Sequence, residues 1–314
     1  MSRFSIVIPV PGDNHSENEV QRFEDTLASV LRSRPQQAQV LVVHDGRYQD
    51  PHGLGSEVDW VVESSSRLAN QFDLALGASQ GDWVVLVRPG VELDEGWENS
   101  VEAAFENPQT GSLTPLIVSS SRPSRITVAG VTADVSGTRQ LLGCGQKIYG
   151  RSLQRLNPLG PSSHFGIYRR SILSAIGRLG CLTDDIYLDV ELGLSLQALG
   201  FSSQFCTDIV ATIDKENLIQ LESRQPHGAT AERSLYRYDR REQSSRWGRT
   251  LLDLAKAPLQ AWRLRHGLQR LNARRERLAD QSFRQHLAII QHDKPWQETS
   301  LPQSIPGIAE RRAA

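Results

Sequence analysis

Four short apolar segments rich in β-branched residues occur in the first 90 positions, and helical patterns separate them. The segments are 4–10, 40–43, 60–62 and 83–87. Between the first two, apolar residues recur from Val20 to Leu31 at helical spacing, and a second such pattern begins at Leu68. Continuous apolar strands alternating with helices predict an α/β fold with a mostly parallel central sheet, covered by helices on both faces.

Length and composition limit the classes of protein open to the chain. Its 314 residues, 39% hydrophobic and 23% charged, fit a globular α/β domain with an appendage, or two small domains. The net charge of −1 does not indicate that the chain as a whole binds a polyelectrolyte. The three cysteines have no metal-binding spacing, and no signal peptide or membrane-spanning apolar run is visible, so we expect a cytoplasmic location.

The loops that follow the strands exclude several common nucleotide and ester chemistries. In open α/β sheets the ligand lies beyond the carboxyl ends of the strands, here the loops after Val10, Val43 and Val87. The first loop holds Gly12 but no G-x-G-x-x-G, which disfavours a dinucleotide-binding dehydrogenase. No phosphate-binding G-x-x-x-x-G-K-[ST] and no G-x-S-x-G elbow occurs.

The later half of the chain has a different character. Residues 116–118 and 126–128 are predicted strands. Residues 130–160 form a glycine-rich, irregular stretch, which predicts a long loop. Residues 164–176 and 184–199 carry apolar helical patterns and are predicted helices.

Six pieces of this chain occur in a fixed order: the first strand 4–10, the helix segment TLASVL at 26–31, VVHDGR at 42–47, ASQGDWVVL at 78–86, YRRSIL with IGRL at 168–179, and LDVELGL with ALGF at 188–201. In this order they resemble the inverting family-2 glycosyltransferases, which have the GT-A fold. The resemblance covers about residues 4–230. It implies a transferase domain over 1–230 that binds a nucleoside diphosphate sugar and uses a saccharide or lipid-linked acceptor.

The resemblance also implies a nucleotide site at Pro9, Asp45 and Arg88. Asp45 stands where the family holds the base or ribose, although Asp-Gly is also an ordinary turn. The family's metal-binding D-x-D falls on Arg88-Pro89-Gly90, so Mg²⁺ or Mn²⁺ is doubtful. A guanidinium at Arg88 can pair with a phosphate instead, or it can be a solvated loop residue. The family's Arg-Asn pair before the fourth strand falls near Phe72-Asp73, so a polar, phosphate-facing position is apolar in this chain.

Asp189 matches the family's general base, which takes the proton of the acceptor hydroxyl. The alternative is an acid in the first turn of a helix, which the helix dipole favours, and Asp184 and Asp185 share that alternative. By the same resemblance Glu191 and His227 lie on the acceptor or diphosphate side, although a lone histidine in a polar loop is more often a surface residue.

The last 84 residues divide into a basic helical extension, 231–293, and an extended or disordered tail, 294–314. From Arg233 to Arg277 there are 13 Lys and Arg and only 4 Asp and Glu. An apolar stripe that includes Leu264, Leu271 and Leu278 runs through the basic segment 246–278. Such a helix contacts a protein partner or the inner face of a membrane, or packs its stripe on the domain. Nucleic-acid binding ranks lowest.

Two functions follow from these observations. The first is transfer of a sugar from a nucleoside diphosphate sugar to a hydroxyl acceptor without a D-x-D metal. The second is a catalytically inactive binding or scaffold protein that keeps the GT-A fold.

Overall fold

The computed structural model describes residues 3–10, 17–133, 139–149, 153, 156–179, 185–214, 278 and 280. Within them the elements in chain order are β1 Phe4–Pro9, α1 Glu17–Ser33, β2 Gln39–His44, β3 Asp59–Val62, α2 Leu68–Ala78, β4 Trp83–Val87, β5 Val91–Leu93, α3 Glu98–Ala104, β6 Thr110–Ser119, β7 Arg122–Val128, β8 Val131–Ala133, β9 Arg139–Leu141, β10 Phe165–Arg169, α4 Arg170–Ile176, α5 Leu188–Ala198 and β11 Ser202–Ile213. A 3₁₀ turn, Asp185–Tyr187, precedes α5.

The described strands form one nine-stranded sheet and a separate two-stranded hairpin. The order in the large sheet is β3-β2-β1-β4-β10-β6-β11-β5, with β7 paired to β6. Strands β1 to β4, β6 and β11 run in one direction, and β5, β7 and β10 run in the other. The predicted mostly parallel α/β fold is confirmed.

The sheet has to curl because β5 follows β4 in the chain but lies four positions away in the strand order. Four strand spacings amount to about 19 Å in a flat sheet. The chain from Val87 to Val91 reaches about 15 Å at most. The connection is held against α1, where the backbone N–H of Gly90 donates to Oγ1 of Thr26 at 2.8 Å.

Helices cover both faces of the sheet, and alternate strand residues divide the core between them. Ile6 and Ile8 face the cluster that contains Phe23 and Leu27 of α1, whereas Val7 faces Phe72 of α2. The second cluster also takes in the apolar faces of α4 and α5. The spacing of apolar residues in the sequence therefore produces the two layers directly.

Residues 164–176 differ from the predicted single helix. Their first half is β10, which lies between β4 and β6 and is antiparallel to both; only the second half, α4, is helical. The strand is buried on both faces, so its sequence lacks the polar alternation that marks a half-exposed strand.

Glycine at position 81, just before β4, is fixed by a close approach of two backbones. A Cβ there would lie 2.6 Å from backbone atoms of Phe4 and Ser5. The hydroxyl of buried Ser5 accepts the backbone N–H of Gly81 at 2.8 Å and donates to Gln39 at 2.7 Å. The amino ends of β1, β2 and β4 are thereby tied together.

The predicted basic extension and tail lie almost entirely outside the described residues. Leu278 is the exception in the apolar stripe: it is helical, fully buried and part of the cluster formed by α2, α4 and α5. Leu278 itself therefore packs on the domain, and the contacts of the rest of the stripe stay a prediction. Across the described part of the chain, no helix combines the length and the apolar character needed to cross a bilayer.

Candidate functional site

The carboxyl ends of β2, β1 and β4 lie side by side, as the order and direction of these strands require. Pro9 is buried at the end of β1 and is paired with Val43, and the next backbone N–H, that of Val10, donates to the carbonyl of Val43 at 2.8 Å. Arg88 follows β4 directly. The structure therefore brings the predicted residues Pro9, Asp45 and Arg88 to one edge of the sheet.

Asp45 is held in a local turn at this edge. Its carboxylate accepts the backbone N–H of Arg47 at 3.0 Å and lies 3.5 Å from the Nε of the same arginine. The preceding His44 is buried and packs edge-on against Trp60. Burial lowers the pKa of His44, and the charge of Asp45 opposes that shift. The contacts of Asp45 match the turn alternative, and its role toward a nucleotide stays a prediction.

The start of α2 lies at the same edge and is capped from a distant part of the chain. The carboxylate of Asp185 accepts the backbone N–H groups of Leu68 at 2.5 Å and Ala69 at 3.2 Å. From the next turn of α2, Gln71 donates to the carbonyl of Val10 at 3.0 Å. Because Asp185 begins the 3₁₀ turn that leads into α5, the turn after β2 and the start of α5 lie at the same edge of the sheet.

Arg88 is half-buried beside the fully buried His164. The backbone N–H of Arg88 donates to the carbonyl of His164 at 2.9 Å. Burial lowers the pKa of His164 well below its usual value, and the charges of Arg88 and Arg139 lower it further. The imidazole is therefore neutral near pH 7, and two guanidinium groups lie close to it.

Asp189 is fully buried, and both of its carboxylate oxygens are hydrogen-bonded. Arg139, on β9, donates through Nε to both oxygens, at 2.9 and 3.1 Å, and through a terminal nitrogen at 2.7 Å. The backbone N–H groups of Ser163 and Val190 donate at 3.0 and 2.8 Å. The side chain of Arg139 is only 6% exposed. In this conformation the predicted base is the acceptor of an internal ion pair.

The other predicted positions that the structure describes have contacts within the domain. Glu191 is buried within α5 and accepts the Ser195 hydroxyl at 3.3 Å. Phe72 is a core residue, and Asp73 accepts the backbone N–H of Leu179 at 2.8 Å. His227 lies outside the described residues. The roles predicted for Glu191 and His227 stay predictions.

Arg169 and Arg170, at the junction of β10 and α4, donate to backbone carbonyls of the domain. Arg169 donates to the carbonyls of Thr110 at 2.7 Å and of Phe105. Arg170 donates to the carbonyl of Gly81 at 2.7 Å. These bonds tie the end of β10 to the edge of the sheet opposite the candidate site.

The residues at the end of β4 do not fit a divalent cation. Arg88 brings a positive charge rather than a carboxylate, and Pro89 and Gly90 carry no ligand atom in a side chain. Glu92 and Asp94, the next acids along the chain, are exposed on or beyond β5. Among the described residues there is no group of three or more His, Cys, Asp or Glu that could hold a metal ion.

Comparison with known proteins gives the class of fold. No protein-family model and no curated protein matches this sequence. The chain is similar to the crystal structure of GalNAc-T7 with UDP, GalNAc and Mn²⁺, with a TM-score of 0.51 and 13% identity, over 67% of this chain and 43% of that one. It is also similar to the mannosyltransferase PcManGT from Pyrobaculum calidifontis in complex with GDP-Man and Mn²⁺, with a TM-score of 0.48 and 14% identity, over 93% and 88% of the two chains.

The fold is therefore of the GT-A glycosyltransferase type, as the sequence resemblance predicted. The chain spans less than half the length of GalNAc-T7. At these identities the likeness concerns the fold, and the chemistry has to be argued from the residues of this chain.

Sequence reasoning missed three residues that shape the site: Arg139, His164 and Asp185. Arg139 lies in a stretch that reads only as an irregular loop, and no spacing pattern connects it to Asp189, 50 residues away. Asp185 reads as an acid at the start of its own helix, whereas it caps α2. Only His164 carried a sequence signal, because it directly precedes the apolar segment 165–169, which begins at the edge where the candidate site lies.

Proposed function

We propose that this chain binds a nucleoside diphosphate sugar at the carboxyl edge of β2, β1 and β4, without a divalent cation. The observation that carries this proposal is the position of Arg88, half-buried directly after β4, where the family resemblance predicts the metal-binding carboxylates. A guanidinium pairs with phosphate oxygens through two parallel hydrogen bonds, so it can offset the charge of a diphosphate.

Two further features support an anionic ligand at this edge. His164 is buried next to Arg88 and is kept neutral, so it adds no charge but can still exchange hydrogen bonds. The fold is shared with GalNAc-T7, whose structure contains UDP. Binding is the function that the geometry supports best, because the carboxylate that would act as base is fully occupied by Arg139.

Calorimetric titration with UDP, GDP and dTDP in EDTA, repeated with Mn²⁺, tests the proposal. We expect binding of at least one nucleotide in EDTA, and a Kd at least ten-fold weaker in Arg88→Gln. A hydrogen bond to a charged group contributes about 1.5–3 kcal/mol, and ten-fold corresponds to about 1.4 kcal/mol. Arg32→Gln, an exposed site at the end of α1 near the opposite edge, is the matched control. Binding that requires Mn²⁺, or that Arg88→Gln leaves unchanged, would contradict the proposal.

Sugar transfer is the second candidate, because Asp189 accepts the backbone N–H of Ser163, and the next residue, His164, is bonded to the backbone of Arg88. In that reaction the acceptor hydroxyl oxygen bonds to the anomeric carbon as the bond to the diphosphate oxygen breaks. The electron pair leaves with the nucleoside diphosphate, and the hydroxyl proton passes to Asp189. Release of nucleoside diphosphate from a bound donor, lost in Asp189→Asn while binding persists, would support transfer. Binding without any release would leave the binding function alone.

A further inference from the structure

We propose that Arg139 is a second diphosphate-binding residue and that Asp189 occupies it as an internal competitor when no ligand is bound. This inference rests on the proposed function, which it extends from one guanidinium to two. It also connects the ion pair inside the domain to the ligand that the edge of the sheet would hold.

The contact chemistry is the first argument. Arg139 presents Nε and a terminal nitrogen to the two oxygens of Asp189, which is the fork geometry that guanidinium groups use for carboxylates and phosphates alike. A diphosphate offers the same paired oxygens with more negative charge. It can therefore replace the carboxylate at Arg139 without a change in hydrogen-bonding pattern.

Proximity is the second argument. The backbone N–H of Arg88 donates to the carbonyl of His164. Asp189 accepts the backbone N–H of Ser163, which immediately precedes His164 in the chain. Consecutive Cα atoms are about 3.8 Å apart, so one short segment before β10 links Arg88 with the Asp189–Arg139 pair. Both guanidinium groups also act on the buried imidazole of His164.

The third argument is the way in which the fold holds each member of the Asp189–Arg139 ion pair. Asp189 is fixed on α5 and keeps two backbone N–H donors, from Ser163 and Val190, when Arg139 leaves. Arg139 lies on β9, a three-residue strand paired with β8 outside the large sheet. Its long side chain can turn between two anions more easily than the helix can move. Release would leave the carboxylate of Asp189 with these two backbone N–H donors.

The sign of one mutational effect tests this inference. The probe is inorganic pyrophosphate, titrated by calorimetry into the full chain and into Asp189→Asn, Arg139→Gln and the double variant. If Asp189 competes for Arg139, Asp189→Asn should bind pyrophosphate at least ten-fold more tightly than the unchanged chain, and adding Arg139→Gln should abolish that gain. A purely structural ion pair predicts equal or weaker binding in Asp189→Asn, which would overturn the inference.

A measurement on the unchanged chain covers the case in which Asp189→Asn does not fold. The Nε–H signal of Arg139 in a nitrogen-15 spectrum, assigned by its loss in Arg139→Gln or Arg139→Lys, should shift as pyrophosphate saturates the site. A signal that stays constant at saturation would overturn the inference. If pyrophosphate and nucleotides bind neither the unchanged chain nor Asp189→Asn, the proposed function fails as well. Binding that depends on Arg88 but not on Arg139 removes only the inference.

Discussion

The two halves of the candidate site are built in different ways. On the side of the parallel strands, the ends of β1, β2 and β4 are placed by parallel pairing, and Asp45 is held by its near neighbour Arg47. On the side of α5, Asp189 is held by Arg139 from a separate hairpin and by Ser163 from the segment before β10. The first half depends on local sequence and backbone pairing, whereas the second depends on a buried charge pair between distant residues.

The largest effect should come from breaking that pair. Arg139→Ala leaves the carboxylate of Asp189 buried without its cation, which should lower the free energy of unfolding by about 3–5 kcal/mol. Urea denaturation followed by circular dichroism measures the loss. Arg139→Gln with Asp189→Asn removes both charges and should recover most of it. If the double variant is no more stable than Arg139→Ala, the stability of this half does not depend on the charge pair.

Crowding the amino ends of β1 and β4 should have the next largest effect. In Gly81→Ala the added methyl group would meet the backbone of Phe4 and Ser5 at 2.6 Å, so the strands have to shift apart. We expect a loss of about 1–3 kcal/mol in the free energy of unfolding. Gly77→Ala, where nothing lies within 4 Å of the added atom, is the control. A neutral result at position 81 would show that β1 and β4 approach each other less closely.

The free energy of unfolding should also decrease as the pH decreases, because of His164. Its folded-state pKa is lowered, so below about pH 6.5 the unfolded chain takes up a proton that the folded chain does not. The expected loss is about 1 kcal/mol between pH 6.5 and 5.5, and it approaches about 1.4 kcal/mol per pH unit below that range. His164→Gln should flatten this slope. The pKa of His44 is also lowered, so it contributes a pH dependence of the same sign and His44→Gln is the control. An unchanged slope in His164→Gln would contradict the burial of a neutral imidazole.

The smallest effect should come from an ion pair at the surface. Arg34 and Glu57 are 2.5 Å apart, but the glutamate side chain is half exposed. Glu57→Gln should change the free energy of unfolding by about 0–1 kcal/mol, and the difference should shrink in 0.5 M salt. A cost close to that of Arg139→Ala would remove the contrast between buried and exposed pairs.

Much of the front half of the fold follows from the sequence. The apolar runs ending at Pro9, His44 and Val87 are strands of one sheet, and the order of motifs indicated the GT-A type. Prediction failed at β10 because a strand buried on both faces has the same apolar content as a helix. Asp189 could be singled out, but its contacts could not, since Arg139 carries no local pattern.

By itself, the sequence determined the α/β class and the placement of Pro9, Asp45 and Arg88 at or directly after the carboxyl ends of neighbouring strands. These depend on hydrophobic periodicity and on residue identity at strand ends, both of which are local. Only the tertiary structure decided that Asp185 caps α2 and that Asp189 is buried against Arg139. A charge pair is set by distance in space and by the exclusion of water, and neither is encoded by spacing along the chain.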